Sequence, residues 1–217
     1  MSMFADRDGT ALLVIGAQVG IVAGAWDRDK IVARIAGLAT RARTSGTPVL
    51  WIRQYGPHMM LGAEDWRIVP ELVPVRHEPL IDTRCRDCFE DTDIDTLLAD
   101  RGVGHVVICG ARSDAGIHST MFSAVLRGFD VTLVGDAHTT VDRLTWDDSL
   151  GQQPSAGQSP AAGVSDTDGE DPDDSEGADA AVRGQDMITL INVMWGQGSI
   201  AGRSTVVARA ETLFVPE

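Results

Sequence analysis

Short, apolar, β-branched runs alternate along this chain with segments of helical period, and that alternation restricts the fold more than any other feature. The runs are residues 10–15 (Thr-Ala-Leu-Leu-Val-Ile), 48–53 (Pro-Val-Leu-Trp-Ile-Arg), 79–81, 105–109 (His-Val-Val-Ile-Cys), 130–134 and 205–208. Each is too short for a helix and has no polar alternation, the pattern of a strand buried on both faces. Strands of this kind, separated by helices, pair in parallel through right-handed crossovers. The expected fold class is α/β: a doubly wound, mostly parallel six-stranded sheet with helices on both faces. A chain of 217 residues is long enough for one sizeable core, so residues 1–217 are expected to form a single domain.

The helical segments carry their own punctuation. Residues 27–45 place Ile31, Val32, Ile35, Leu38, Ala39 and Ala42 on one stripe, with Asp27 or Asp29 available as a cap and Gly46 as a stop. Thr92 stands three residues before Asp95 and opens a helix that runs through Asp100. Residues 113–127 form a further helix closed by Gly128, and residues 186–195 the last one.

Residues 151–183 break the pattern. They are Gly, Pro, Ser, Ala and acid, with Val164 and Val182 as the only large aliphatics. Such a stretch cannot bury enough apolar area to offset an ordering cost of about 1–2 kcal/mol per residue, and it reads as a disordered acidic insertion. It is either a tolerated surface loop or a segment that recruits a basic partner. Eight acids between positions 166 and 179 lie in it. Without them 24 acidic residues face 18 basic ones, a net of −6 against −14 for the whole chain. A mildly acidic body argues against nucleic acid as a ligand. No apolar run reaches the roughly 18 residues of a membrane span, and no signal peptide is expected at the start. Three cysteines without an export signal fit free thiols and a cytoplasmic location.

Ligands of a parallel sheet gather beyond the carboxyl ends of its strands. Here those exits include Gly16-Ala17-Gln18, Asp82-Thr83-Arg84 and the stretch from Gly110 to Gly116, the last leading into a helix N-terminus that would activate a thiol. The residue in that first turn is Gly116. Three motifs at these exits carry a resemblance. Leu12-Leu13-Val14-Ile15-Gly16-Ala17-Gln18 resembles the Leu-Leu-Val-Ile-Asp-Met-Gln opening strand of isochorismatase-like cysteine hydrolases. Asp87-Cys88-Phe89-Glu90-Asp91-Thr92 resembles their Asp-Ser-Phe-Glu-Asp-Thr segment. Gly110-Ala111-Arg112-Ser113-Asp114-Ala115-Gly116 resembles Gly-Ala-Gln-Thr-Asp-Ala-Cys, and the run from Gly128 to Thr140 follows the family pattern as well.

The resemblance implies a hydrolase that uses an aspartate base, a lysine and a cysteine nucleophile. At the matching positions this chain has Gly16, Thr83 and Gly116. Glycine can neither accept a proton nor attack carbon, and threonine cannot replace an ammonium. Gly116 alone is compatible with the family's vinyl-ether hydrolases, but those still need the aspartate that Gly16 has removed. The same matching implies a pocket lined by Gln18, Phe89, Ala111 and Arg112, no cofactor, and a homo-oligomer, dimer or tetramer.

Arg84, Cys88, Asp114 and His118 are the groups near these positions that could substitute for the lost side chains. Cys85-Arg86-Asp87-Cys88 is a C-x-x-C, readable as a redox pair, a displaced nucleophile or two small loop residues. Ser113, Asp114 and His118 have poor spacing for a triad, because residues two apart on a helix point about 200° apart. His138 matches the family's own pattern and is expected to orient the loop after the fifth strand. Metal-using relatives carry Asp and His ligands after the second strand, where residues 54–60 offer only His58, so no metal is expected. Trp26, Trp66, Trp146 and Trp195 fall where relatives carry aromatics, at pocket, subunit contact or core. Two functions follow: a pseudoenzyme that binds a small molecule or serves as an assembly subunit, or a hydrolase of a small amide or vinyl ether with rewired groups.

Overall fold

The computed structural model describes residues 2–142 and 182–215. The acidic insertion, apart from Val182 and Arg183, lies outside them, as does Trp146. The sheet is built from β1 (Gly9–Ile15), β2 (Val49–Gln54), β3 (Leu80–Thr83), β4 (Val103–Ala111), β5 (Asp130–Thr139), β6 (Gly198–Ile200) and β7 (Arg203–Ala208), in the order β3-β2-β1-β4-β5-β7-β6. Every pairing is parallel except β6 with β7. There are thus seven strands among the described residues, one more than the sequence signalled. The seventh, Gly-Ser-Ile, is a three-residue antiparallel edge whose composition carries no apolar run to recognise.

Strand alternation divides the core. Leu12 and Val14 point to one face, Leu13 and Ile15 to the other, the period of two expected of a pleated strand. The short helix α1 (Val19–Val22) and the helix α2 (Arg28–Thr44) cover the first face, with the predicted stripe of Ile31, Val32, Ile35, Leu38, Ala39 and Ala42 buried. The second face is covered by α3 (Ile94–Ala99), α4 (His118–Leu126) and α5 (Gly184–Trp195), which contribute Ile94, Leu98, Met121, Val125, Ile191 and Trp195. A π-helical turn, Ser113–Ile117, precedes α4. Asp27 precedes α2 but makes no side-chain cap there; it takes a left-handed conformation (φ 51°) and pairs with Lys30 instead.

Two features position the site. The order β2-β1-β4 reverses direction between β1 and β4, so their carboxyl ends form the switch point where open sheets bind ligands. There the backbones approach closely: a Cβ on Gly110 would lie 1.9 Å from the Ile15 carbonyl oxygen. In addition, β5 bulges against β4. Ile108 pairs with Leu133, but Gly110 pairs with His138. The bulge carries β5 five residues past Val134, the end expected from sequence, and sets His138 beside the turn that follows β4.

Candidate functional site

The exits of β1, β2, β3 and β4 converge on Gly16, Gln54, Thr83 and Gly116. Gly16 has φ +60°, and a Cβ there would lie 2.2 Å from the carbonyl oxygen of Ala111. The backbone of β4 occupies the space that an aspartate would need. Gly116 is less confined: its Cβ would meet Gln54 Nε2 at 2.8 Å, the far end of a flexible side chain. Thr83 is 2% exposed, and its hydroxyl accepts a hydrogen bond from the Cys85 amide at 3.0 Å. The three positions matched to base, cation and nucleophile are therefore brought together, and two of the spaces are filled by neighbours.

Gln18 serves structure. It is 0% exposed; its Nε2 donates to the carbonyls of Gln54 (2.8 Å) and Trp66 (2.7 Å), and its Oε1 accepts the Gln54 amide at 2.6 Å. One amide thus joins the exits of β1 and β2 to the loop at residues 65–69, whose backbone also pairs with Val19, Gly20 and Ala17. Phe89 packs in the core against Phe129, and Ala111 is fully buried beneath α2. Arg112 stays half-buried, bonded to Asp114 at 3.2 Å, with its Nε buried and unpartnered.

Of the two cysteines of the C-x-x-C, Cys88 is not placed to act as a nucleophile. Cys88 is 0% exposed in the second-face core, and burial pushes its thiol up to about 12, so it is protonated at neutral pH. Cys85 is partly exposed, and all three cysteines are free thiols. Cys109 is buried at the end of β4, where burial likewise raises its pKa. Among the described residues no three His, Cys, Asp or Glu side chains form a metal cluster. Asp82, which precedes Thr83 on β3, is held by Arg53 through two bonds of 2.9 Å, with Trp66 stacked on the guanidinium at 3.9 Å. Arg84 lies apart, over the Tyr55 ring, in a cavity of about 520 Å³ with Met60 and Leu61. A cavity of about 480 Å³ sits at the opposite, amino ends of β2 and β3. Its Glu78 is spent on Arg43, Trp51 and the Val75 amide, which makes it part of the scaffold.

Ser113, Asp114 and His118 do not form a triad. Ser113 instead bonds His138 Nδ1 at 2.8 Å, and His138 Nε2 bonds Asn192 Oδ1 at 3.0 Å. Asn192 donates its Nδ2 to the Gly135 carbonyl, which fixes the amide orientation. His138 Nε2 therefore carries the proton, and the Ser113 hydroxyl donates to Nδ1. This has the sequence of a nucleophile, base and orienter, but Ser113 and His138 are both 0% exposed. No substrate reaches the hydroxyl, and burial holds His138 below the usual imidazole range. The chain of bonds ties β5, the π-helical turn and α5 together.

Asp114 and His118 line another cavity, of about 310 Å³, together with Arg86 and with Met187, Leu190, Ile191 and Met194 of α5. Arg86, Gln54 and Asn192 were missed at the level of sequence. Gln54 was findable as the exit of the second strand. The sequence assigns Arg86 no role beyond its place inside the C-x-x-C, and nothing in a linear reading links Asn192 to His138 across 54 residues.

A mostly parallel sheet with a switch point between β1 and β4 defines the class as a doubly wound α/β protein. The chain belongs to the isochorismatase family: the isochorismatase domain matches residues 10–159. It is 32% identical over 145 residues to a streptothricin hydrolase of Streptomyces noursei, covering 64% of this chain and 57% of that protein. It therefore spans little more than half the length of that relative. The uncharacterized isochorismatase family protein YecD of Escherichia coli O157:H7 is 30% identical over 59% of this chain and 78% of its own length. An isochorismatase from Pseudomonas putida KT2440 superposes with a TM-score of 0.71 at 22% identity, covering 94% of this chain and 89% of that one. A cysteine hydrolase from Pseudomonas syringae pv. phaseolicola 1448A gives 0.70 at 18% identity over 94% and 90%. At such identities these two structures speak for the fold. No described helix is long and apolar enough to cross a membrane.

Proposed function

We propose that this chain is a non-hydrolytic member of its family, which keeps the hydrolase fold and binds a small molecule without turning it over. One observation carries the reading: the position matched to the base is a glycine at φ +60° whose Cβ site lies 2.2 Å from a backbone oxygen. The backbone has closed over the catalytic position, beyond the mere loss of a side chain. Two further features support it. Gln54 Nε2 stands in the nucleophile's space, and the alternative thiol, Cys88, is buried and protonated. Losing a positioned base costs about 10²–10⁴-fold in rate, and losing the nucleophile too leaves binding alone. The free thiols fit a reducing compartment such as the cytoplasm.

The test is turnover. Purified protein is incubated with amides, vinyl ethers and, because a relative bears the name streptothricin hydrolase, streptothricin. Products are followed by mass spectrometry, and the expected result is no product above the uncatalysed rate. Enzyme-dependent hydrolysis of any of them that is lost in His118→Ala would establish the competing reading, a hydrolase with rewired groups.

A further inference from the structure

The cavity of about 310 Å³ beside α5 adjoins the matched positions without including them: neither Gly16, Gln54, Thr83 nor Gly116 lines it, but Asp114 and His118 flank Gly116 and the Arg86 carbonyl oxygen would lie 3.6 Å from a Cβ there. Its size is at the lower end of small-molecule sites. One wall is apolar, made by Met187, Leu190, Ile191 and Met194, and thioether side chains adapt readily to a ligand's shape. The polar side is made by Arg86, Asp114 and His118.

The sign of the ligand follows from which of these groups are already engaged. Asp114 is spent: the Thr140 hydroxyl donates to one oxygen and Arg112 to the other, and its side chain is only 8% exposed. Its charge is answered by the Arg112 guanidinium, so a cationic ligand finds no open carboxylate. His118 accepts the indole N–H of Trp195 on Nδ1 at 3.4 Å, and burial favours its neutral form. That leaves Nε2–H as a donor. Arg86 is exposed and makes no hydrogen bond or ion pair among the described residues. Among the described residues the uncompensated charge of the cavity is thus one guanidinium, whose planar fork matches a carboxylate in two bonds.

We propose that this cavity binds a small monocarboxylate, with the carboxylate on Arg86 and an aliphatic or aromatic body against Met187 and Met194. The assignment rests on the non-hydrolytic reading and names its ligand class and site. The probe is sodium benzoate, followed through the methyl resonances of ¹³C-methyl-methionine protein. Saturable shifts are expected at the Met187 and Met194 methyls, assigned by Met→Leu substitution. Benzamide and benzylamine should bind about tenfold more weakly or worse, the size of one charge-assisted contact. Arg86→Gln, at an exposed position where folding is not at stake, should weaken benzoate about tenfold, and Leu190→Trp should abolish binding by filling the cavity. Absence of saturable shifts at these methyls up to about 10 mM benzoate, a range that captures even millimolar binding, overturns the proposal. Equal binding of benzylamine, or an Arg86→Gln variant as tight as the parent, overturns it as well. Benzoate offers no bond for hydrolysis, so a failure here sinks the cavity assignment and leaves the non-hydrolytic reading standing, whereas turnover in the substrate panel sinks that reading and with it the role given to the cavity.

Discussion

Gly16 and Gly116 look equivalent as letters, yet their surroundings differ. A Cβ at Gly16 meets backbone at 2.2 Å in a left-handed conformation, whereas one at Gly116 meets only the end of the Gln54 side chain. Gly16→Ala should therefore lower stability by about 3 kcal/mol or more, through strain and displacement of β4. Gly116→Cys should lower it by less than about 1 kcal/mol, because Gln54 can turn aside. Urea titration of the two variants checks this, and equal costs would disprove the claim of a closed base position. The same contrast of surroundings separates the thiols. Iodoacetamide at neutral pH should label Cys85 alone in the folded protein, because Cys88 and Cys109 are buried and their thiols are held protonated. Peptide mapping before and after unfolding reads the result; rapid native labelling of Cys88 would reopen the displaced-nucleophile reading.

Among the elements, the bulge in β5 has the largest consequence. It places His138 against Ser113 and Asn192 and so couples the turn after β4 to α5. Burial lowers the pKa of His138 from 6.5, with the Asn192 bond and Asp136 opposing; burial lowers His105 and His118 in the same direction, opposed by Asp130 and Asp114. For a histidine depressed in the folded state, the unfolded chain takes up protons first as pH falls. Stability is then full above about pH 6.5 and declines below it. The carboxylates Glu71 and Glu78 are held low, so their contribution is lost only below about 4.5. Denaturation midpoints should fall between pH 7 and about pH 5, a window that isolates the histidines. His138→Gln should reduce that slope. A midpoint flat across the window would show that the buried imidazole is not excluded from protonation.

At the scale of the whole molecule, the outer surfaces of α4 and α5 leave Phe122, Leu126 and Val193 exposed outside the ligand cavity. Exposed large apolar residues on neighbouring helices are the mark of a contact surface. Self-association into a dimer or tetramer is proposed on that ground, with light scattering coupled to gel filtration as the check. Leu126→Glu should shift the mass toward that of the 23.2 kDa chain without lowering the melting temperature of the fold. A monomeric parent protein would refute the proposal.

The sequence by itself determined the class of fold, the order of the first five strands along the chain, the apolar stripe of α2 and the identity of Gly16, Thr83 and Gly116 at the strand exits. Each depends on local period or on motifs that persist in linear order. Tertiary structure decided the rest: the closure of β4 over Gly16, the placement of Gln54, the seventh strand, the pairing of Ser113 with His138 instead of His118, and the isolation of Arg84 from Arg86. These depend on contacts between residues far apart in the chain and on a bulge that changes register, and a periodic pattern carries no record of either. A hydrogen bond across 54 residues becomes visible only when the sheet has set its two ends side by side.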